Sequence, residues 1–173
     1  MASSIMAKVD WSDPNECKLP NNSEFIENIL SNMTLEQKVG QIIMPEINSV
    51  TPNDAEKYFF GTILNGGGGF PNKNKNSSVE DWKNLSKSYF NASPNVNGTR
   101  IPILWGTDAV HGHNNVIGAT IFPHNIALGA TRNKNLVRKI GSAVAKEVNS
   151  TGIIWTFAPT IAVPQNDLWG RTY

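Results

Sequence analysis

A chain of 173 residues that is 39% hydrophobic and 17% charged has the composition of an ordinary globular protein and is long enough to bury a core. Its formal net charge of +1 leaves no electrostatic footprint for nucleic acid or an anionic membrane surface. No apolar run approaches the roughly 20 residues that a membrane-spanning helix needs.

In chain order, residues 1–22 read as a polar leader with Pro14 and Pro20 and no periodicity. The first ten residues carry no early positive charge and no apolar stretch, so they do not read as a secretory signal, and the compartment is left open. Cys17 stands alone, which excludes an internal disulfide and a multi-cysteine zinc site. Asn-x-Ser/Thr triplets, such as Asn32-Met-Thr34, follow from the abundance of asparagine and are not taken as signs of glycosylation.

Phe25, Ile26, Ile29, Leu30 and Met33 recur at helical spacing. Thr34-Leu-Glu-Gln37 has the pattern of a capping box and predicts a second short helix. It leads into Gln41–Glu46, a short strand ending in a carboxylate. Thr51-Pro52-Asn-Asp54 predicts another helix start, running to about Phe60 and closed by Gly61. Thr62–Asn65 is a strand, followed at once by Gly66–Gly69. Ser78 caps a helix that sets Trp82, Leu85, Tyr89 and Phe90 on one face, and residues 93–99 form a loop. Ile101–Trp105 is an apolar strand that stops at Asp108, His111, His113, Asn114 and Asn115. Asn133 caps a long helix with Leu136, Val137, Ile140, Val144 and Val148 on one face, ended by Gly152. A last strand spans Ile153–Phe157 and is stopped by Ala158-Pro159.

Alternating strands and helices at this spacing predict parallel strands joined by right-handed crossovers, hence an α/β fold. A doubly wound sheet and part of a (β/α)8 barrel both satisfy the order. Polar groups at four successive strand ends favour the barrel: Glu46, Asn65 with its glycines, Asp108, and the segment after Phe157. A complete barrel needs about 250 residues. Residues 23–173 are therefore expected to form its N-terminal half as one domain, incomplete at the C-terminus.

Asp108 is the leading candidate site residue, because a carboxylate at the end of a buried strand is costly unless it is paired or held at a wet cleft. Arg171, beside Trp169, offers a fork of donors next to a flat apolar ring, a combination suited to a sugar. His111 and His113 are expected to shape the loop by hydrogen bonding, since His-Gly-His lacks further metal ligands. His124 reads as a loop or core-edge histidine. Gly66–Gly69 lacks both the Lys-Ser/Thr ending of a P-loop and the order of a dinucleotide fingerprint; it reads as close backbone passage. Trp82, Trp105 and Trp155 are expected in the core.

Trp105-Gly-Thr-Asp-Ala-Val-His-Gly-His-Asn-Asn115 resembles the signature of family 3 glycoside hydrolases, in the form used by the β-glucosidase and exo-β-glucanase branch. The resemblance continues through Gly118-Ala-Thr-Ile-Phe-Pro-His-Asn125, Leu128-Gly-Ala-Thr-Arg132, Ala145-Lys-Glu-Val148, Thr151-Gly152, Phe157-Ala-Pro159 and Trp169-Gly-Arg171. Upstream it includes Met33–Gln41 and Leu64-Asn-Gly-Gly-Gly68. It implies a (β/α)8-type domain, followed in the family by an α/β sandwich. The implied activity is hydrolysis of β-glucosides or β-glucan oligosaccharides with retention of configuration.

By that resemblance Asp108 and Arg171 bind the sugar at the non-reducing end, and no cofactor or metal is called for. The family's nucleophilic Asp follows a Lys-His motif on a later strand, and its acid/base Glu comes from the second domain. Neither has a counterpart here, so no catalytic residue is assigned. Glu46 is not promoted to the role, and Asp167 lies in a segment, Pro164-Gln-Asn-Asp-Leu168, that departs from the family's acidic-Pro-Arg form. This chain alone is expected to be inactive. The alternative is a truncated, non-catalytic sugar-binding product. The family's β-N-acetylglucosaminidase branch is disfavoured by Asp-Ala-Val-His-Gly.

Overall fold

The computed structural model describes residues 23–160 and 163–171; the predicted leader, with Cys17, lies outside them. Helix starts follow local chemistry closely. Helix α1 spans Ser23–Ser31 and α2 spans Leu35–Gln41. At α2 the Thr34 hydroxyl accepts from Gln37 N–H at 3.2 Å, while the Gln37 side chain accepts from Thr34 N–H at 2.9 Å. The same reciprocal box opens α3 (Pro52–Lys57) with Thr51 and Asp54, and α4 (Val79–Asn91) with Ser78 and Asp81. The cap hydroxyls of Thr51 and Ser78, with the cap amides behind them, hold the Asp54 and Asp81 carboxyls below the usual range. Asn133 caps α6 (Lys134–Ser150), its side chain accepting from Leu136 N–H at 3.0 Å.

Strand β1 (Thr62–Asn65) pairs in parallel with β4 (Leu104–Thr107), which pairs in parallel with β5 (Trp155–Thr156). On the other side of β1, Leu64 exchanges 3.0 Å backbone bonds with Pro45 and Ile47, and a bridge joins Glu46 to Leu64. The spatial order is thus residues 45–47, β1, β4, β5, which is chain order with no reversal. A doubly wound sheet reverses at its switch point, whereas a (β/α)8 barrel adds each strand on the same side. The fold is the N-terminal half of such a barrel.

One face of the sheet carries the core. Ile63 and Ile153 are fully buried there with Trp82, Tyr89, Trp105 and Val148. The Tyr89 ring stands edge-on to Trp105 at 5.7 Å, and its hydroxyl donates to Val50 O at 2.8 Å. Burial above all, with the nearby Asp54 and Glu46 charges, pushes the Tyr89 phenol up to about 12. Trp105 donates from Nε1 to the buried Asn65 Oδ1 at 2.8 Å.

Several expectations need correction. The strand predicted at Ile101–Trp105 lies instead at Leu104–Thr107. Residues before it are engaged elsewhere: Ile101 N–H donates to Pro94 O, and Ile103 N–H to the Ser93 hydroxyl. Pro102, having no N–H, cannot contribute to a ladder. The supposed loop 93–99 is a hairpin, β2 (Asn95–Val96) and β3 (Thr99–Arg100), turned by Asn97 and Gly98 with φ of 49° and 87°. Asn-Gly tolerates both left-handed positions.

Helix α3 ends at Lys57 rather than near Phe60, because Phe59 adopts φ 61°. Gly61 serves close approach instead, since a Cβ there would crowd the Gln41 carbonyl at 2.5 Å. The predicted strand at Gln41–Glu46 reduces to the Glu46 bridge, and the last strand to two residues. A short helix that the sequence did not suggest, α5, spans Asn125–Ala130.

Two aromatic placements also differ. Phe90 is exposed, with the Arg100 guanidinium 5.8 Å above its ring. Trp155, expected in the core, is 36% exposed. Its register partner is Gly106, so it shares with Leu104 the sheet face opposite the helices. There its ring meets Phe157 edge-on at 5.0 Å, and the two cover Gly106.

Asn65→Ala leaves the buried Trp105 N–H without a partner and is expected to cost about 1–3 kcal/mol. Urea denaturation should show a lower midpoint at unchanged slope.

Candidate sugar-binding cleft

The carboxyl ends of the parallel strands converge on one rim, and the backbone there explains which side chains reach it. Glu46 turns inward: its Oε2 accepts from Asn48 N–H at 2.6 Å, and its buried Oε1 lies against Gly69, where any Cβ would collide with it. Glu46 is spent on shaping the loops after the first two strands. Asn65 is likewise turned into the core toward Trp105. Gly66, Gly67 and Gly68 leave open space where a Cβ would stand; only Gly69 fulfils the expected close passage.

Past β4 the chain enters a tight loop. Asn115 donates from Nδ2 to Thr107 Oγ1 and to the Asp108 carbonyl, both at 3.4 Å, while the Asp108 side chain stays exposed. His111 N–H donates to Asn114 Oδ1 at 3.3 Å, and Phe122 N–H donates back to His111 O at 2.9 Å. Gly112 makes this crossing possible, with φ 84° and a position where a Cβ would strike the Thr120 carbonyl.

The result is a cleft of about 620 Å³. Asp108, His111, Asn114 and Asn115 come to it from the loop after β4; His124, Asn125 and Ile126 from the start of α5; Thr160, Pro164, Trp169 and Arg171 from the chain beyond β5. Asp108 and Arg171, 63 residues apart in sequence, thus line one cleft. Among the described residues neither the Asp108 carboxylate nor the Arg171 guanidinium has a hydrogen-bond or ion-pair partner. Asp108 is the one carboxylate among the described lining residues, and no group of three His, Cys, Asp or Glu among the described residues is placed to hold a metal ion. No described helix is long and apolar enough to cross a membrane.

The three histidines divide. His111 and His124 line the cleft with ring centroids 5.3 Å apart, a role the sequence did not suggest for either. The available signal is spacing: His111 follows Asp108 by three residues at a glycine turn. His113 is 1% exposed and points away, its Nε2 2.9 Å from the Thr151 hydroxyl at the end of α6. That hydroxyl already donates to Val148 O at 2.7 Å, so it must accept from His113, which places the imidazole proton on Nε2. Nδ1 is then a bare lone pair, buried without a partner. A second proton there would be a buried, unpaired cation. Burial accordingly lowers the His113 pKa, against the opposing pull of the Glu147 charge.

Fold and cleft together define a protein of the (β/α)-barrel class with a polar, tryptophan-edged site at the carboxyl ends of its strands. The chain belongs to glycosyl hydrolase family 3: the sequence profile of the family's N-terminal domain matches residues 34–173. It is 31% identical to a lysosomal beta glucosidase of Dictyostelium discoideum over 99% of its own length, and 26% identical to a periplasmic beta-glucosidase of Salmonella typhimurium over 85%. It spans 22% and 17% of those two proteins. Among solved structures it superposes on the exo-1,3/1,4-beta-glucanase of a Pseudoalteromonas species with a TM-score of 0.78 and 49% identity, covering 88% of this chain and 19% of that one. A family 3 beta-N-acetylglucosaminidase from a Paenibacillus species matches with a TM-score of 0.58 and 27% identity, covering 73% and 24%.

The His113 tie has a pH signature. Unfolded, its imidazole takes a proton near 6.5; folded, only below that. Between the two values the unfolded state holds more protons, so stability is full above about 6.5 and falls as the pH drops, by up to about 1.4 kcal/mol per pH unit. Thermal melts between about pH 7 and about pH 5 should show this fall in the wild type and a flatter profile in His113→Gln.

Proposed function

We propose that this chain supplies the sugar-holding part of a retaining β-glucosidase or exo-β-glucanase, with Asp108 and Arg171 binding the glucosyl unit at the non-reducing end. The observation that carries this reading is the pair of opposite, unpartnered charges on one cleft. A carboxylate can accept from two neighbouring ring hydroxyls at once. A guanidinium presents a fixed fork of donors to others, and the Trp169 ring offers a flat apolar surface to the C–H face of a pyranose. The glucan branch is supported over the acetylglucosaminidase branch by the higher identity and closer superposition, 49% and 0.78 against 27% and 0.58.

The same geometry argues against bond cleavage by these residues alone. A retaining glycosidase needs two carboxyl groups about 5–5.5 Å apart, one attacking the anomeric carbon and one serving the leaving oxygen. The described cleft offers Asp108 only. Sugar binding and orientation belong to this chain; nucleophile and acid/base belong to later family motifs that residues 1–173 do not contain.

Calorimetric titration with methyl β-D-glucopyranoside tests this. Saturable binding is expected, weakened about tenfold or more in Asp108→Ala and in Arg171→Ala, in line with loss of a charge-assisted hydrogen bond. Identical heats for wild type and Asp108→Ala would remove the assignment. Hydrolysis of an aryl β-glucoside by the purified 173-residue chain, saturable and lost in Asp108→Ala, would overturn the division of labour.

A further inference from the structure

Two stretches of the family resemblance, residues 118–120 at the start of Gly118–Asn125 and Ala145-Lys-Glu-Val148, contribute nothing to the cleft lining, yet the structure joins them. Glu147, on the last turns of α6, accepts from the Thr120 hydroxyl at 2.8 Å through Oε1. The Thr120 N–H reaches both carboxylate oxygens, at 3.1 and 3.2 Å. Among the described residues every hydrogen bond that Thr120 donates ends on Glu147. The Thr120 carbonyl in turn presses on Gly112, whose neighbour His111 lines the cleft and is bonded to Asn114 and to Phe122. A continuous path of contacts therefore runs from Glu147 through Thr120 and Gly112 to His111 and Asn114. Nothing lies within 4 Å of a Cβ at Gly118, so the turn before Thr120 has no wall on that side.

We propose that Glu147 and Thr120 are positioning residues for the cleft, the tie by which α6 sets where His111 and Asn114 stand. The carboxylate is suited to this because it takes both of the threonine's donors at once, fixing backbone and side chain together. The His113–Thr151 bond anchors the same loop to the same helix three residues before the turn at Val116, so the loop is held at two points from one rigid element. The ligand-binding consequence rests on the reading of the cleft as a sugar site. The placement of the loop does not.

The test uses the full 173-residue chain at a temperature well below its melting point. Thr120→Val keeps the shape and removes one donor; Glu147→Ala removes both acceptors. Each is expected to weaken methyl β-D-glucopyranoside binding by about tenfold through displacement of the lining groups. The double variant should bind no more weakly than Glu147→Ala, since the two residues act through each other. Thr120→Ser and Glu147→Gln, which keep a hydroxyl and an acceptor, should recover the affinity. Unchanged affinity in folded Thr120→Val and Glu147→Ala overturns the proposal, whatever happens to their melting temperatures.

If the wild type binds no glucoside, the sugar reading fails by itself, and amide spectra decide the positioning role. The His111 and Asn114 resonances should move in Thr120→Val and return in Thr120→Ser. Resonances that stay in place overturn it.

Discussion

The bond between Trp105 and Asn65 is the constraint on which the rest of the arrangement depends. It joins neighbouring parallel strands inside the core, and it is satisfied in one register only, with Ile63 beside Trp105 and Asn65 beside Thr107. A slip of one residue would carry the indole to the opposite sheet face and strand the Asn65 amide in an apolar setting. Burial of Trp105 against Trp82 and Tyr89 reinforces the choice, since no other side chain of β4 offers comparable apolar surface to that helix layer. Once this register is set, Thr107 ends level with Asn65, and Asp108 is the first residue beyond the core.

In the loop after β4, crossed bonds act together with packing, since Ala109, His113 and Val116 are buried against the core. Gly112 lets two backbone segments touch, Asn114 and Asn115 close the turn with their amides, and His113 is sealed inwards as a single neutral tautomer. Residues that project outwards from such a loop, His111 and Asn114 among them, inherit fixed positions from its crossed bonds. The opposite sheet face is different in kind. Leu104 and Trp155 remain partly exposed there, as expected of the inward face of a barrel whose strand order is established while the described chain supplies only its first strands.

Legibility in the sequence tracks the range of the interactions. The starts at Thr34, Thr51, Ser78 and Asn133 are readable because a cap is settled by residues three positions apart. The shift of the strand before Asp108 is not, because it depends on Ile101 and Ile103 finding partners in residues 93–94. The hairpin at Asn97-Gly98 carries a local signal, but the prolines and asparagines around it read equally well as an open loop. At the site, Asp108 stands out because a charge after a buried strand is costly without a purpose, and Arg171 because a tryptophan stands beside it. His111 carries only the weak signal of its spacing from Asp108, and residue type alone does not separate it or His124 from His113, which the fold turns the other way.

The walls of the cleft are drawn from Gly67 to Arg171, and no local piece of chain contains enough of them to form a site. The cleft comes into being only when β5 has docked on β4, the pairing of longest sequence separation that the cleft requires. Occupancy and closure of the sheet are therefore one equilibrium: a ligand held between Asp108 and Arg171 would act as a staple across it. Its protection against hydrogen exchange would be felt at Trp155 and Thr156, which lie outside the cleft lining, as much as at the rim.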